Sequence, residues 1–127
     1  MYTYIQATGD LLRDGALVGS CYSGAPGYVN DPLAQELPDR GPIPVGAYTM
    51  RPEVRPELGP DVVALIPNEG TDTFGRDDFF MHGDDRQHPG QRMASKGCIV
   101  VGPTIRTEVA TSIAAGDDQL QVLAYPA

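Results

Sequence analysis

Glycine and proline punctuate this chain from end to end. With 15 glycines and 12 prolines in 127 residues, few stretches run long enough to make a helix. Glycine costs a helix entropy, and proline removes a donor and clashes with the preceding turn. Such spacing predicts a mainly β fold of short strands joined by many turns. The length is that of one domain, so residues 1–127 are read as a single unit. Hydrophobic residues make up 41% of the chain, enough to build a core and to exclude wholesale disorder.

The local patterns give the strands their expected places. Residues 2–6 alternate and are rich in β-formers. Leu11 to Arg13 follows, and Asp14-Gly15 is a hairpin turn leading into a strand over 16–23. On that strand Leu17, Gly19, Cys21 and Ser23 fall on one side. Residues 24–40 read as a long surface loop. Strands are expected at 47–51, 62–66, 79–82, 98–101 and 119–125. One helix is expected, near residues 104–115. There Ile105, Val109 and Ile113 share a face, and Gly116 is placed to end it.

Charge and composition narrow the function. Nine basic residues against 17 acidic ones give a net charge of −8, which repels phosphate and argues against a nucleic-acid partner. Two cysteines make neither a disulfide framework nor a four-cysteine zinc site. No apolar run has the length of a membrane helix, so no membrane insertion is expected. Residues 1–6 lack the basic and apolar regions of a secretory signal. The expectation is therefore a protein that is cytoplasmic until secreted or released.

Two segments carry chemistry. Phe79-Phe80-Met81-His82-Gly83-Asp84 ends an apolar strand on a histidine, and Ala94-Ser95-Lys96-Gly97-Cys98-Ile99 opens another on a cysteine. If the strands are neighbours, imidazole and thiol meet at one rim. A cysteine beside a histidine is the arrangement of an activated thiol nucleophile. The backbone N–H groups of Gly97 and Cys98 are candidate oxyanion donors. The Gly83 carbonyl or the Asp84 carboxylate is a candidate to orient the imidazole. From spacing alone, a core cysteine and a structural histidine remain equally good readings.

The order His82-Gly83, polar loop, Ser95-Lys96-Gly97-Cys98-Ile99 resembles the catalytic motif of the L,D-transpeptidases, bacterial enzymes that remodel peptidoglycan. Pro42-Ile43-Pro44-Val45-Gly46-Ala47-Tyr48 is similar to the segment that leads into a core strand of that family. The opening Tyr2–Ser23 meander and the pattern Phe79–Asp84, His88-Pro89-Gly90, Ser95–Ile99 resemble its compact subgroup of type VI secretion effectors and phage-associated proteins. The resemblance implies a mixed β-sandwich with the site at one edge. It implies Cys98 as nucleophile, His82 as general base and acid, and Ser95 and Gly97 as shapers of the site loop. The implied substrate is the peptidoglycan stem peptide, attacked in the periplasm or cell wall of a target cell. No cofactor is implied, and the resemblance leaves room for an immunity protein as a partner.

One position departs from the pattern. Many L,D-transpeptidases carry arginine after the Gly-Cys-hydrophobic triplet, where Val100 stands here. Substrate carboxylate recognition then passes to Arg92, Arg76 or Lys96, and His88 is either a structural residue or a substrate contact. Two other readings stand beside this one: an inactive module of the same fold that binds cell-wall peptide, and a zinc hydrolase using His82, Asp84, Asp85 and His88. Cys21 is read as a small buried hydrophobe, and a Cys21–Cys98 disulfide would remove the nucleophile.

Overall fold

A computed structural model describes residues 1–84, 87 and 94–127. Nine strands form one mixed sheet: β1 (Tyr2–Ile5), β2 (Asp10–Arg13), β3 (Ala16–Ser20), β4 (Tyr22–Ser23), β5 (Gly46–Glu53), β6 (Val62–Pro67), β7 (Phe80–His82), β8 (Ile99–Val100) and β9 (Gln119–Leu123). Among the described residues the single α-helix, α1, is Pro103–Ala114. The fold is mainly β with one helix, as the glycine and proline spacing predicts.

The strand order is β3-β2-β1-β9-β5-β6-β7-β8-β4. Strands β3 and β4 are consecutive in the chain yet lie at opposite ends of this order. The sheet must therefore curl back on itself, and it does so as a nearly closed, barrel-like wall. The opposed layers expected of a sandwich are the two sides of this one curled sheet. Most pairs are antiparallel, while β1/β9 and β7/β8 are parallel.

The segment 16–23, expected as one strand, is two. Cys21 still donates its backbone N–H to Gly9 O at 2.7 Å, in register with β2, and the next two residues pair with β8 instead. A register shift between Leu11 and Leu12 also changes the phase of β3. Leu17, expected on the same side as Cys21, is 64% exposed while Cys21 is buried, and Val18 packs on the core. The Asp14-Gly15 turn forms as expected, with φ of 48° and 84° at its two residues.

One large cluster fills the interior. It contains Tyr2, Tyr4, Leu11, Ile43, Tyr48, Met50, Val63, Leu65, Met81, Ile99, Val109 and Leu120 among others. Helix α1 closes it with Val109, which is fully buried, and with Ile105 and Ile113 at its margin. The helix ends at Gly116, whose φ is 96° and whose N–H donates to Ile113 O at 3.0 Å. Strand alternation sends Val62, Ala64 and Phe80 to the other face, where Leu58, Ile66 and Cys98 join them in a smaller cluster.

Candidate active site

The parallel pairing of β7 with β8 sets His82 opposite Val100 and Met81 opposite Ile99. Met81 and Ile99 face the large core. Their neighbours therefore face the outer side of the sheet: His82 at the end of β7, and Cys98 immediately before β8, where it packs on the outer cluster. Cys98 precedes the paired Ile99 by one residue, so it sits diagonally from His82. Diagonal neighbours on one sheet face are about 7–8 Å apart at the backbone, within reach of an imidazole and a thiol.

His82 is buried. Its Nδ1 is 2.7 Å from Gly83 O. A carbonyl only accepts, so Nδ1 carries the proton and Nε2 keeps its lone pair in the neutral ring. Of the two expected orienting groups, the Gly83 carbonyl holds the ring. The Asp84 carboxylate instead accepts from Tyr22 OH at 2.9 Å. Burial pushes the His82 pKa below its ordinary 6.5; the Gly83 carbonyl and Asp84 oppose this, and the Arg106 charge adds to it.

Cys98 is partly exposed and reduced, as is the buried Cys21. Burial raises the Cys98 thiol above its ordinary 9.0, with Asp78 adding to the rise. The Phe80 amide, Arg55 and Arg76 pull the other way. In this resting state Sγ donates to Asp78 O at 3.7 Å. No hydrogen bond joins thiol to imidazole, so the direct contact expected from the sequence is replaced by one to the neighbouring loop. The two groups rest neutral, rather than as a thiolate–imidazolium pair.

The loop before Cys98 is tied down by one serine. Ser95 Oγ donates to Cys98 O at 2.6 Å and accepts from Gly24 N at 2.9 Å and Gly97 N at 3.1 Å. The Gly97 N–H, expected as an oxyanion donor, is thus engaged inside the loop, and the Cys98 amide is the candidate that remains. Gly97 has φ of 132°, and a Cβ there would lie 2.6 Å from Arg76 Nη2. The close approach that this glycine permits is made to Arg76.

Arg76 is itself a structural clamp. Its guanidinium donates to Gln35 O, to Pro42 O at 2.9 Å, to Gly41 O at 2.9 Å and to Lys96 O at 3.3 Å, and it lies over the Phe79 ring. With its donors spent on carbonyls, it does not serve as the substrate cation considered from sequence. The Lys96 side chain is exposed. His88, Arg92 and Asp85 lie outside the described residues. Among the described residues no group of three His, Cys, Asp or Glu side chains is placed to hold a metal.

A cleft of two adjoining basins runs beside His82. One, of about 430 Å³, is lined by His82, Gly83, Asp84, Gln87 and Ala94 on one wall and by residues 56–59 on the other. The second, of about 470 Å³, shares Leu58, Gly59, Gly83 and Asp84 with it and extends to Val100, Pro103 and Arg106. Sequence reasoning missed residues 56–59 and Arg106. Only Arg106 leaves a signal, because a cation in the first turn of a helix opposes the helix dipole.

Together these features define a mainly β domain whose outer sheet face carries a cysteine and, lining a cleft, a histidine. The chain belongs to the Tlde1 domain family, whose model matches residues 18–124. This is a type VI secretion effector domain family. No curated protein and no solved structure matches the chain.

Proposed function

We propose that the chain is an antibacterial effector enzyme, a cysteine acyltransferase of L,D-transpeptidase type acting on peptidoglycan tetrapeptide stems. The observation that carries this reading is that His82 ends β7 while Cys98 stands immediately before the parallel β8, both on the outer face, with the Gly83 carbonyl fixing the His82 tautomer. The effector family of the chain supports it.

The thiol turns from the Asp78 carbonyl to His82, and Nε2 takes the proton as sulfur bonds to the carbonyl carbon of the L,D-linked residue. The Cys98 amide steadies the oxyanion. As the C–N bond breaks, the imidazolium returns the proton to the departing D-alanine amine, leaving an acyl-Cys98 thioester. Water resolving it gives carboxypeptidase activity, and an amine gives a new cross-link or an exchanged D-amino acid. A raised thiol pKa is compatible with this because the proton leaves in the same step as the attack.

The same resting thiol, bonded to Asp78 O and held neutral, also favours the alternative of a peptide-binding module without turnover. Incubation with purified tetrapeptide muropeptides, followed by mass spectrometry, separates them. Loss of D-alanine or a 3–3 linked product supports the enzyme. Binding with no product supports the module.

A further inference from the structure

Among the described residues two arginines are more than nine-tenths buried, Arg76 and Arg106, each 8% exposed. Arg76 has four carbonyl partners. Arg106 has one: Nη1 donates to Val101 O at 2.8 Å. Its Nε is buried and donates to nothing. A buried cation so sparsely paired is costly unless something outside the chain compensates its charge.

The surroundings of Arg106 point to what that is. Its guanidinium lies against Gly83, where a Cβ would come within 2.5 Å of Nη1, so this glycine opens the space it occupies. It lines the second basin together with Gly102 and Pro103, the start of α1. That helix start has no side-chain cap, since Gly102 stands at the N-cap position. Proline at the first helical position lacks an N–H, which leaves the next amides and the positive end of a 12-residue helix beside the guanidinium. Asp84 lines the same basin and is held by Tyr22. Its charge opposes a dianion more than a single carboxylate.

We propose that Arg106 and the start of α1 form a carboxylate-binding subsite that takes the free carboxylate of a peptide substrate. This deepens the reading of the cleft as a peptide-stem site and rests on it for the substrate's identity. The carboxylate pairs with the part of the guanidinium that lines the basin, a planar fork suited to it.

The test is a titration of the ¹⁵N-labelled full chain, following arginine Nε–Hε resonances by NMR. The probes are N-acetyl-D-alanine, its terminal amide and sulfate. Arg106→Lys assigns the resonance by its disappearance while keeping the charge. The expected result is a saturable shift of that resonance with N-acetyl-D-alanine, none with the amide, and weaker binding of sulfate. Arg106→Gln should weaken the carboxylate at least about tenfold. Gly83→Ala, which crowds the guanidinium without removing its charge, should weaken it too and covers the case in which Arg106→Gln fails to fold. No saturable shift, equal response to the amide, or tighter sulfate binding overturns the subsite. Tetrapeptide turnover is measured in parallel. Carboxylate binding without turnover keeps the subsite and removes the acyl-transfer reading. Turnover with an unmoved Arg106 resonance does the reverse.

Discussion

The two faces of strands β7 and β8 differ in what they bury. On the inner face Met81 and Ile99 are fully enclosed within the large cluster. On the outer face Phe80 and Cys98 belong to a small cluster whose cover is Leu58 and Ile66, and His82 sits beside a cleft. The inner face holds the fold. The outer face keeps polar groups buried enough to shift their pKa values, yet next to open space. Alternation along five residues of sequence thus separates structural from chemical duty.

The largest effect that sharpens this contrast is on turnover. Cys98→Ala should abolish tetrapeptide turnover, because the described residues offer no other nucleophile beside His82. It should leave thermal unfolding nearly unchanged. Met81→Ala, on the same pair of strands but inside, should cost about 2–5 kcal/mol of stability, read from denaturant unfolding. If the cysteine variant turned over muropeptide at the wild-type rate, the outer face would have no covalent role.

His82→Ala should lower kcat/KM by about two orders of magnitude or more, since both the base and the proton donor are lost. The wild-type profile carries the sign. His82 has its pKa lowered from 6.5 by burial, so activity should rise with pH through a point below 6.5. It should then stay level up to the ionisation of the thiol, which is raised above 9.0. The unfolded chain takes up this proton more readily than the folded one. Stability should therefore fall as the pH drops through 6.5 toward the lower folded value. An acid limb centred above 6.5 would contradict a buried, neutral base.

The cysteines provide a third contrast. Cys21 faces the large core, and its pKa is pushed up to about 12 by burial, with Asp10 adding to the rise. At pH 8 its thiolate fraction is about 10⁻⁴, so iodoacetamide should modify it slowly. Cys98, partly exposed and beside the Phe80 amide, should react at least about tenfold faster, followed by mass spectrometry of the intact chain. Equal rates would mean that the outer face is no more open than the core.

Much of the fold is legible in the sequence because its signals are local. The Asp14-Gly15 turn, the apolar run 62–66 and the Ile105, Val109, Ile113 face each depend on residues close together in the chain. What escapes are effects of closure. The break at Cys21 marks the change of partner from β2 to β8, at the other end of the strand order, and the exposure of Leu17 follows from a register shift. In the site, sequence order places His82, Cys98 and Ser95. It does not reveal that Arg76 and Gly97 hold one another, because that contact joins a loop at 76 to one at 97. Nor does it reveal that Arg106, in a helix start, comes to rest on Gly83.

The smallest effect concerns Asp84, and it tests which group orients the imidazole. If the Gly83 carbonyl alone holds Nδ1–H, Asp84→Asn should change kcat/KM only a few-fold at neutral pH. The Tyr22 hydroxyl can still donate to the amide oxygen, so the loop should keep its place. One change should nonetheless be visible. The Asp84 charge raises the His82 pKa against the lowering by burial. Its removal should move the acid limb of the activity profile to still lower pH, so the variant should keep a larger share of its own maximum at pH 5–6 than wild type does. A shift of the limb to higher pH, or a loss comparable with that of His82→Ala, would show that the carboxylate and not the carbonyl positions the base.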